Sequence, residues 1–116
     1  MARVIGFELS SQDPGKAASF YGNVFGWEVS EANWDYWSVK TGAEDEVGID
    51  GGISKGPSDF PHGTRIQIEV ESIDDAITKA QENGAMVVRK KMVFDEFYLA
   101  YLVDPVGNGI GLYQRK

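Results

Sequence analysis

The chain has 116 residues, of which 42% are hydrophobic, enough for one domain with a substantial core. It has no cysteine, which excludes disulfides, thiolate metal ligands and a cysteine nucleophile. Its net charge of −7 argues against nucleic acid or an anionic membrane as the main partner. The N-terminus lacks the apolar run of a signal peptide, and no segment has the length of a membrane span, so we expect a cytoplasmic protein.

The first half of the sequence predicts the element order β-α-β-β-β. Residues 3–9 alternate between apolar and small or polar side chains, which is typical of a strand with one buried face. Asp13 as N-cap, Pro14 at the first helical position and Gly26 as the stop predict a helix. Further strands are predicted at 27–30, 36–40 and 49–55, the last two separated by an acidic, solvated loop over 41–48.

The second half predicts the same order after a Pro- and Gly-rich linker at about 56–63. Its first strand, 65–70, places Arg65, Gln67 and Glu69 on one face. Ser72 caps a helix that stops at Asn83. Strands follow at 85–89, 98–103 and 110–113, with residues 90–97 joining the first two. The chain is therefore predicted to be a single domain of two modules, about 1–55 and about 64–116.

The last two strands are predicted to form a hairpin. The turn is Asp104-Pro-Val-Gly-Asn-Gly109, in which proline fixes one φ and glycine accepts a positive one. Alternation then places Gly109, Gly111 and Tyr113 on one face of the last strand. Glycines inside a strand mark a close approach, and here either a ligand or a packed aromatic ring would explain them.

The two halves form an internal repeat with a shift of 59 residues. The shift aligns Glu8 with Gln67, Asp13 with Ser72, and Ala17 with Ala76. A module with one helix leaves one face of its sheet uncovered, so pairing of the two modules is expected. The predicted fold class is α+β, with two βαβββ modules that form curved mixed sheets.

Three segments carry a resemblance to a known family. They are Phe20-Tyr-Gly-Asn-Val-Phe-Gly-Trp27, Ile49-Asp-Gly-Gly-Ile53 and Asp104-Pro-Val-Gly-Asn108. With them the whole chain resembles the vicinal oxygen chelate superfamily, which includes glyoxalase I, bleomycin-resistance proteins and extradiol dioxygenases. Within it, the chain is similar to the glyoxalase-related bacterial branch. The resemblance implies a cup-shaped cavity between modules and a homodimer.

The resemblance also implies a divalent metal, but this chain departs from the family at the ligand positions. Those in the first strand of each module fall on Gly6 and Arg65, and the glutamate of the last strand falls on Gly111. The fourth position, in the 49–55 strand, has no ligand beyond Asp50. Since a divalent metal needs several converging carboxylates or imidazoles, we expect no metal cofactor. The one histidine, His62, lies in the linker and is expected to be exposed.

The same positions suggest a different site. If the family geometry holds, the polar side chains of the first strands and the face of the last strand line the cup. Arg65 would then either pair with Glu8 or bind a carboxylate of a ligand through its two parallel N–H groups. Aromatic walls are expected as well. The predicted ligand-binding residues are Glu8, Trp37, Arg65, Gln67, Tyr98, Gly111 and Tyr113.

The sequence therefore predicts a metal-independent protein of the glyoxalase/bleomycin-resistance type that binds an aromatic or anionic small molecule. The alternative is a lyase, isomerase or dioxygenase-like enzyme of the same superfamily with an unidentified metal or catalytic site. In that case Glu8 is the candidate acid or base, because a carboxylate in an apolar cup has a raised pKa. A third reading is a subunit whose cup surface serves association alone.

Overall fold

The structure is a computed structural model, and it describes residues 2–30, 36–55 and 63–116. The chain divides into two compact units, which we call the first unit (Gly6–Thr64) and the second unit (Met1–Ile5 with Arg65–Lys116). The described residues form two helices and eight strands, and the order β-α-β-β-β occurs twice. The predicted α+β fold with two βαβββ modules is confirmed.

The elements of the first half follow the local signals of the sequence. They are β1 (Ala2–Ser10), α1 (Pro14–Phe25), β2 (Glu28–Val29), β3 (Tyr36–Lys40) and β4 (Gly51–Ser54). The side chain of Asp13 accepts a hydrogen bond from the backbone N–H of Lys16, and Gly26 ends the helix in the left-handed conformation. Both predicted ends of the helix are therefore confirmed.

The strands of the first unit lie in the order β2-β3-β4-β1. Strands β1 and β4 are parallel, while β3 is antiparallel to both of its neighbours. Helix α1 covers one face, where a core of Ala18, Val39 and Ile53 is buried. Partly buried side chains pack against this core: Phe7, Leu9, Ala17, Tyr21, Trp27, Val29 and Trp37. The Tyr21 and Trp27 rings are stacked, with centroids 5.0 Å apart.

The second half has the same elements with longer strands. They are β5 (Gly63–Val70), α2 (Ile73–Glu82), β6 (Met86–Val93), β7 (Phe97–Val103) and β8 (Gly109–Arg115). The Ser72 hydroxyl accepts a hydrogen bond from the backbone N–H of Asp75 at the start of α2, and Gly84 follows the helix with a positive φ. Residues 86–93 form one bulged strand, whereas the sequence predicted a strand that ended at 89.

The strands of the second unit lie in the order β5-β8-β7-β6. Helix α2 covers one face of this sheet. The buried core there consists of Ile73, Ala100, Leu102 and Leu112, with Ile68, Val70, Ala76, Ile77 and Ile110 among the side chains packed on it. A shift of 59 residues relates buried Ile53 to Leu112 and the pair Glu8–Gly52 to Gln67–Gly111. The register of the repeat therefore extends to the last strand of each module.

The β7–β8 hairpin confirms the predicted antiparallel pairing and turn. Strand β7 pairs with β8 from Phe97–Arg115 to Val103–Gly109, and Gly107 has a positive φ. The Asp104 carboxylate accepts hydrogen bonds from the backbone N–H and side-chain amide of Asn108 and from the backbone N–H of Val106. These hydrogen bonds stabilise the charged form and hold the pKa of Asp104 below its usual range.

Some predicted features lie outside the described residues. These are most of the linker, including His62, and the segment 31–35 with Trp34. The acidic loop over 41–48 is described and has no helix or strand. No helix of the described residues is long and apolar enough to cross a membrane.

Candidate functional site

The face of the second unit's sheet that α2 does not cover holds most of the predicted site residues. Strand register places Gln67, Gly111 and Tyr101 side by side on β5, β8 and β7. Arg65 precedes Gln67 on the same face of β5, and Tyr113 follows Gly111 on β8. We call this surface, formed by Arg65, Gln67, Tyr101, Gly111 and Tyr113, the Arg65 face.

The glycines of β8 let side chains from the strands on either side come together. A Cβ built at Gly111 would meet Gln67 Cγ at 3.3 Å and Tyr101 Cε1 at 3.4 Å, and one at Gly109 would meet Arg65 Cβ at 3.2 Å. As a result, the Arg65 guanidinium carbon lies 4.4 Å from the centroid of the Tyr101 ring. Of the two explanations for the glycines, a ligand or a packed aromatic ring, the structure supports the aromatic ring at Gly111, while Gly109 lies against the Arg65 side chain.

Arg65 is a buried cation, with only 6% of its surface exposed. Removing a guanidinium from water costs free energy. The cation–π contact between the Arg65 guanidinium and the Tyr101 ring is favourable and offsets part of this cost. Elsewhere on the same face the Glu69 carboxylate accepts a hydrogen bond from the Arg115 Nε at 2.6 Å. The Arg65 face therefore has a fixed positive group in an aromatic setting.

Aromatic rings continue this surface along β8. Tyr113 and Phe97 are stacked with centroids 5.3 Å apart, and Phe94 stacks on Phe97 at 5.0 Å. Phe94 is exposed, while Phe97 and Tyr113 are partly buried. This ladder gives the sheet a flat apolar area next to Gln67 and Gly111, which is the kind of wall that planar ligands contact.

The first unit has a corresponding surface with different chemistry. Glu8 pairs in register with Gly52, and Ser38 pairs with Gly52 from the other side. A Cβ at Gly52 would overlap the hydroxyl end of the Tyr36 ring, so this phenol lies in the space beside Glu8. Glu8 is only 3% exposed. We call this surface, formed by Glu8, Tyr36, Ser38 and Gly52, the Glu8 face.

Two predicted site residues lie on the opposite, helix-covered faces. Trp37 packs against the first core, and its ring lies 3.9 Å from a Cβ built at Gly15 of α1. Tyr98 packs against the second core and pairs in register with Gln114, whose side chain accepts from the N–H of Ile73 in α2. The structure does not bring Trp37 and Tyr98 together with the other predicted residues.

Sequence reasoning did not assign Tyr101 and Tyr36 to the site. The signal for Tyr101 was present, because the turn that pairs Val103 with Gly109 also pairs Tyr101 with Gly111. Tyr98 is three residues from Tyr101 and therefore faces the other way. For Tyr36 no local signal existed, since its position depends on the pairing of β3 with β4, whose connection is a long loop.

The residues at the family's metal positions do not fit a divalent cation. Gly6 and Gly111 offer no side-chain donor, and Arg65 is itself a cation. Gly52, which the repeat makes equivalent to Gly111, likewise has no donor. Among residues 2–30, 36–55 and 63–116 no group of three or more His, Cys, Asp or Glu side chains could hold a metal ion.

Two βαβββ modules with polar groups on the sheet faces opposite their helices are typical of the vicinal oxygen chelate superfamily. A model of the glyoxalase-like domain matches residues 6–113, so the chain belongs to the glyoxalase-like domain family. No curated protein sequence matches it.

Solved structures show the same fold at low sequence identity. A glyoxalase/bleomycin resistance protein/dioxygenase superfamily member from Vibrio splendidus 12B01 is 17% identical with a TM-score of 0.67, covering 100% of both chains. A structure described as NAD-dependent benzaldehyde dehydrogenase from Legionella pneumophila is 16% identical with a TM-score of 0.67, covering 95% of this chain and 97% of that one. Homoprotocatechuate 2,3-dioxygenase from Arthrobacter globiformis is 21% identical with a TM-score of 0.66, covering 98% of this chain but 36% of that one.

Proposed function

We propose that this glyoxalase-like chain is a metal-independent small-molecule binding protein that holds an aromatic or anionic ligand on the Arg65 face. The observation that supports this function is the replacement of a metal-ligand position by a buried arginine packed on Tyr101. A fixed guanidinium attracts the acidic group that a bound metal would otherwise attract in this family.

The neighbouring groups suit such a ligand. A guanidinium binds a carboxylate through two parallel hydrogen bonds, and the Gln67 amide adds one donor and one acceptor beside it. The Tyr113 and Phe97 rings provide an apolar surface next to these polar groups. Two of the structurally similar proteins are named for aromatic compounds, homoprotocatechuate and benzaldehyde, which supports an aromatic ligand by analogy of fold alone.

The first experiment is elemental analysis of protein exposed to manganese, iron, cobalt, nickel and zinc, followed by thermal melting in EDTA with a panel of aromatic carboxylates. We expect no metal above background and a ligand-dependent rise in the melting temperature, because a ligand that binds only the folded state stabilises it. Near-stoichiometric metal, or ligand binding that EDTA abolishes, would contradict the proposal.

The variant Arg65→Met separates ligand binding from a structural role. We expect it to lose the ligand-dependent rise while its unfolding free energy without ligand stays within about 1 kcal/mol of wild type, because methionine keeps the apolar stem and removes a buried charge. The matched control is Arg115→Met, whose side chain is 73% exposed, and it should keep the rise. A loss of about 3 kcal/mol or more in Arg65→Met would instead indicate a structural ion pair.

The enzyme alternative is favoured by the Glu8 face. There a buried carboxyl group lies beside the space taken by the Tyr36 phenol, and two such groups can exchange protons with a bound substrate. Turnover that Glu8→Gln abolishes and Arg115→Met retains would support this alternative. Homodimer formation and a cytoplasmic location stay predictions of the sequence and its family resemblance.

A further inference from the structure

Three large apolar side chains of α1 lie on the outer surface of the first unit. Phe20, Val24 and Phe25 are each more than half exposed. Phe20 and Val24 are four residues apart and therefore neighbours on the helix surface. The Phe20 and Phe25 rings contact each other, with centroids 6.3 Å apart. The three side chains form one continuous apolar surface, which we call the α1 patch (Phe20, Val24 and Phe25).

Further aromatic rings hold the α1 patch in place. The Tyr21 ring contacts those of Phe20 and Phe25, with centroid distances of 5.1 and 6.1 Å. Tyr21 also stacks on Trp27, which packs against the buried core of the first unit. Because these contacts restrict the rings before a partner binds, less conformational entropy is lost on binding. Well-packed aromatic side chains are typical of the residues that contribute most to protein–protein binding.

The repeat shows that the fold does not require apolar side chains at these positions. The shift of 59 residues that aligns the N-caps of the two helices relates Phe20 to Lys79 and Val24 to Asn83. Lys79 and Asn83 are exposed and polar, as expected on the outer side of a helix that covers a sheet. The patch is therefore a feature of α1 alone, and contiguous exposed apolar patches mark interaction sites.

The charges around the α1 patch favour a basic partner. Residues 6–64, which form the first unit, include ten acidic and three basic side chains. The patch reaches the C-terminal end of α1, which is the negative end of the helix dipole. The structure describes every residue of α1, and none in its last turn is basic, whereas α2 has Lys79 in its last turn. A second copy of the chain would bring the same acidic unit to the patch, so like charges oppose self-association there.

We propose that the α1 patch is a docking surface for a basic protein partner. The partner covers the patch with apolar side chains and places lysine or arginine side chains beside the negative end of α1. An amphipathic helix with an apolar stripe and a basic side has this chemistry. The patch shares no residue with the Arg65 face or the Glu8 face, so this interaction is independent of the proposed ligand.

Two labelled peptides of about 14 residues test the proposal, one of leucine and lysine and one of leucine and glutamate in the same amphipathic pattern. Fluorescence anisotropy at an ionic strength of about 0.15 M measures their binding. We expect the lysine peptide to bind the wild type at least about tenfold more tightly than the glutamate peptide.

The variant Phe20→Lys gives α1 the residue that α2 has at the equivalent position. We expect it to fold and to weaken binding of the lysine peptide by about tenfold or more, because it removes an aromatic contact and adds a like charge. The matched control is Val47→Lys, which makes the same change in charge at a fully exposed apolar residue of the same unit. Its affinity should stay within about threefold of wild type, because it leaves the patch intact.

Three results of the peptide titrations would overturn the proposal. They are no binding of the lysine peptide to the wild type, equal affinities for the two peptides, and equal weakening by Phe20→Lys and Val47→Lys. In the last case the acidic unit would attract cations without any role for the patch. If Phe20→Lys does not fold, Val24→Asn again copies the second module, and it should weaken binding of the lysine peptide by more than Val47→Lys does.

Sedimentation velocity tests the other occupant, a second copy of the chain. We expect Phe20→Lys and the wild type to have the same oligomeric state, because the α1 patch is reserved for a basic partner. A wild-type dimer that Phe20→Lys converts to a monomer would overturn the proposal and assign the patch to self-association.

Discussion

The two modules have the same strand register and opposite surface chemistry. In both, a polar residue of the first strand pairs with a glycine of the last, Glu8 with Gly52 and Gln67 with Gly111. Yet the Glu8 face has a carboxylate beside hydroxyl groups, whereas the Arg65 face has guanidinium groups beside aromatic rings. The repeat therefore keeps the same backbone positions on the two faces. The side chains at those positions differ, and they determine what each face can bind.

The distribution of charge follows the same division. Residues 6–64 include ten acidic and three basic side chains, so they account for the whole net charge of −7. The remaining residues include eight of each and are neutral overall. The neutral half is the one in which an anionic ligand meets the least repulsion.

The glycines of the last strands give the largest expected difference between the modules. Gly51→Ala should destabilise the protein by about 3 kcal/mol, because its Cβ would overlap the Phe7 carbonyl oxygen of the neighbouring strand, and backbone cannot move aside easily. Gly111→Ala is the comparison in the last strand of the other module, at the position equivalent to Gly52. Its Cβ would meet only the side chains of Gln67 and Tyr101, so we expect a loss of less than about 1 kcal/mol.

Chemical denaturation measures both variants. Equal losses would mean that the modules tolerate a side chain at their last strand equally well, and the contrast between a backbone and a side-chain obstacle would then be wrong. The position equivalent to Gly51 in the second module is Ile110, so that module has a large side chain where the first module has none.

The helix caps offer a smaller effect and a test of similarity between the modules. Asp13→Ala and Ser72→Ala each remove one hydrogen bond to a backbone N–H at the start of a helix. Each should cost about 1 kcal/mol of unfolding free energy in urea denaturation. A loss near zero at one position only would show that its helix depends on packing against the sheet, and that the cap signals of the two modules are not equivalent.

The turn residue Asp104 gives the smallest effect. Its counterpart one repeat earlier, Asp45, lies in the 41–48 loop. Hydrogen bonds from Asn108 hold its pKa below the ordinary value of about 3.9. The stabilisation is therefore complete above the pKa of the unfolded chain and is lost as the pH falls through the lower pKa of the folded protein. The urea midpoint of the wild type should exceed that of Asp104→Asn at pH 7, and the difference should shrink toward pH 3. A difference independent of pH would contradict this account.

Local signals sufficed for most of the fold and for part of the site. The Asp13 and Ser72 caps, the alternation around Arg65 and the turn at Asp104 are short-range features, and the structure contains each of them. The side on which a helix covers the sheet is a long-range property. It is the reason why Trp37 and Tyr98, chosen because they are aromatic, lie in the cores of the two modules.

The contact between Arg65 and Tyr101 also required information that no single strand contains. It depends on two strands, β5 and β7, that are separated in the sheet by the glycine-bearing β8. Reading the hairpin register from the turn places Tyr101 beside Gly111, but the parallel register of β5 against β8 follows from packing across the whole module.

The tryptophans of the core have an optical consequence. All three tryptophans, at positions 27, 34 and 37, belong to the first unit, and Trp27 and Trp37 pack against its core. Tryptophan emission during unfolding therefore reports on the first unit, while far-ultraviolet circular dichroism reports on both. Coincidence of the two transitions would mean that the modules unfold as one cooperative body, and separation would allow the stability of each module to be measured within the intact chain.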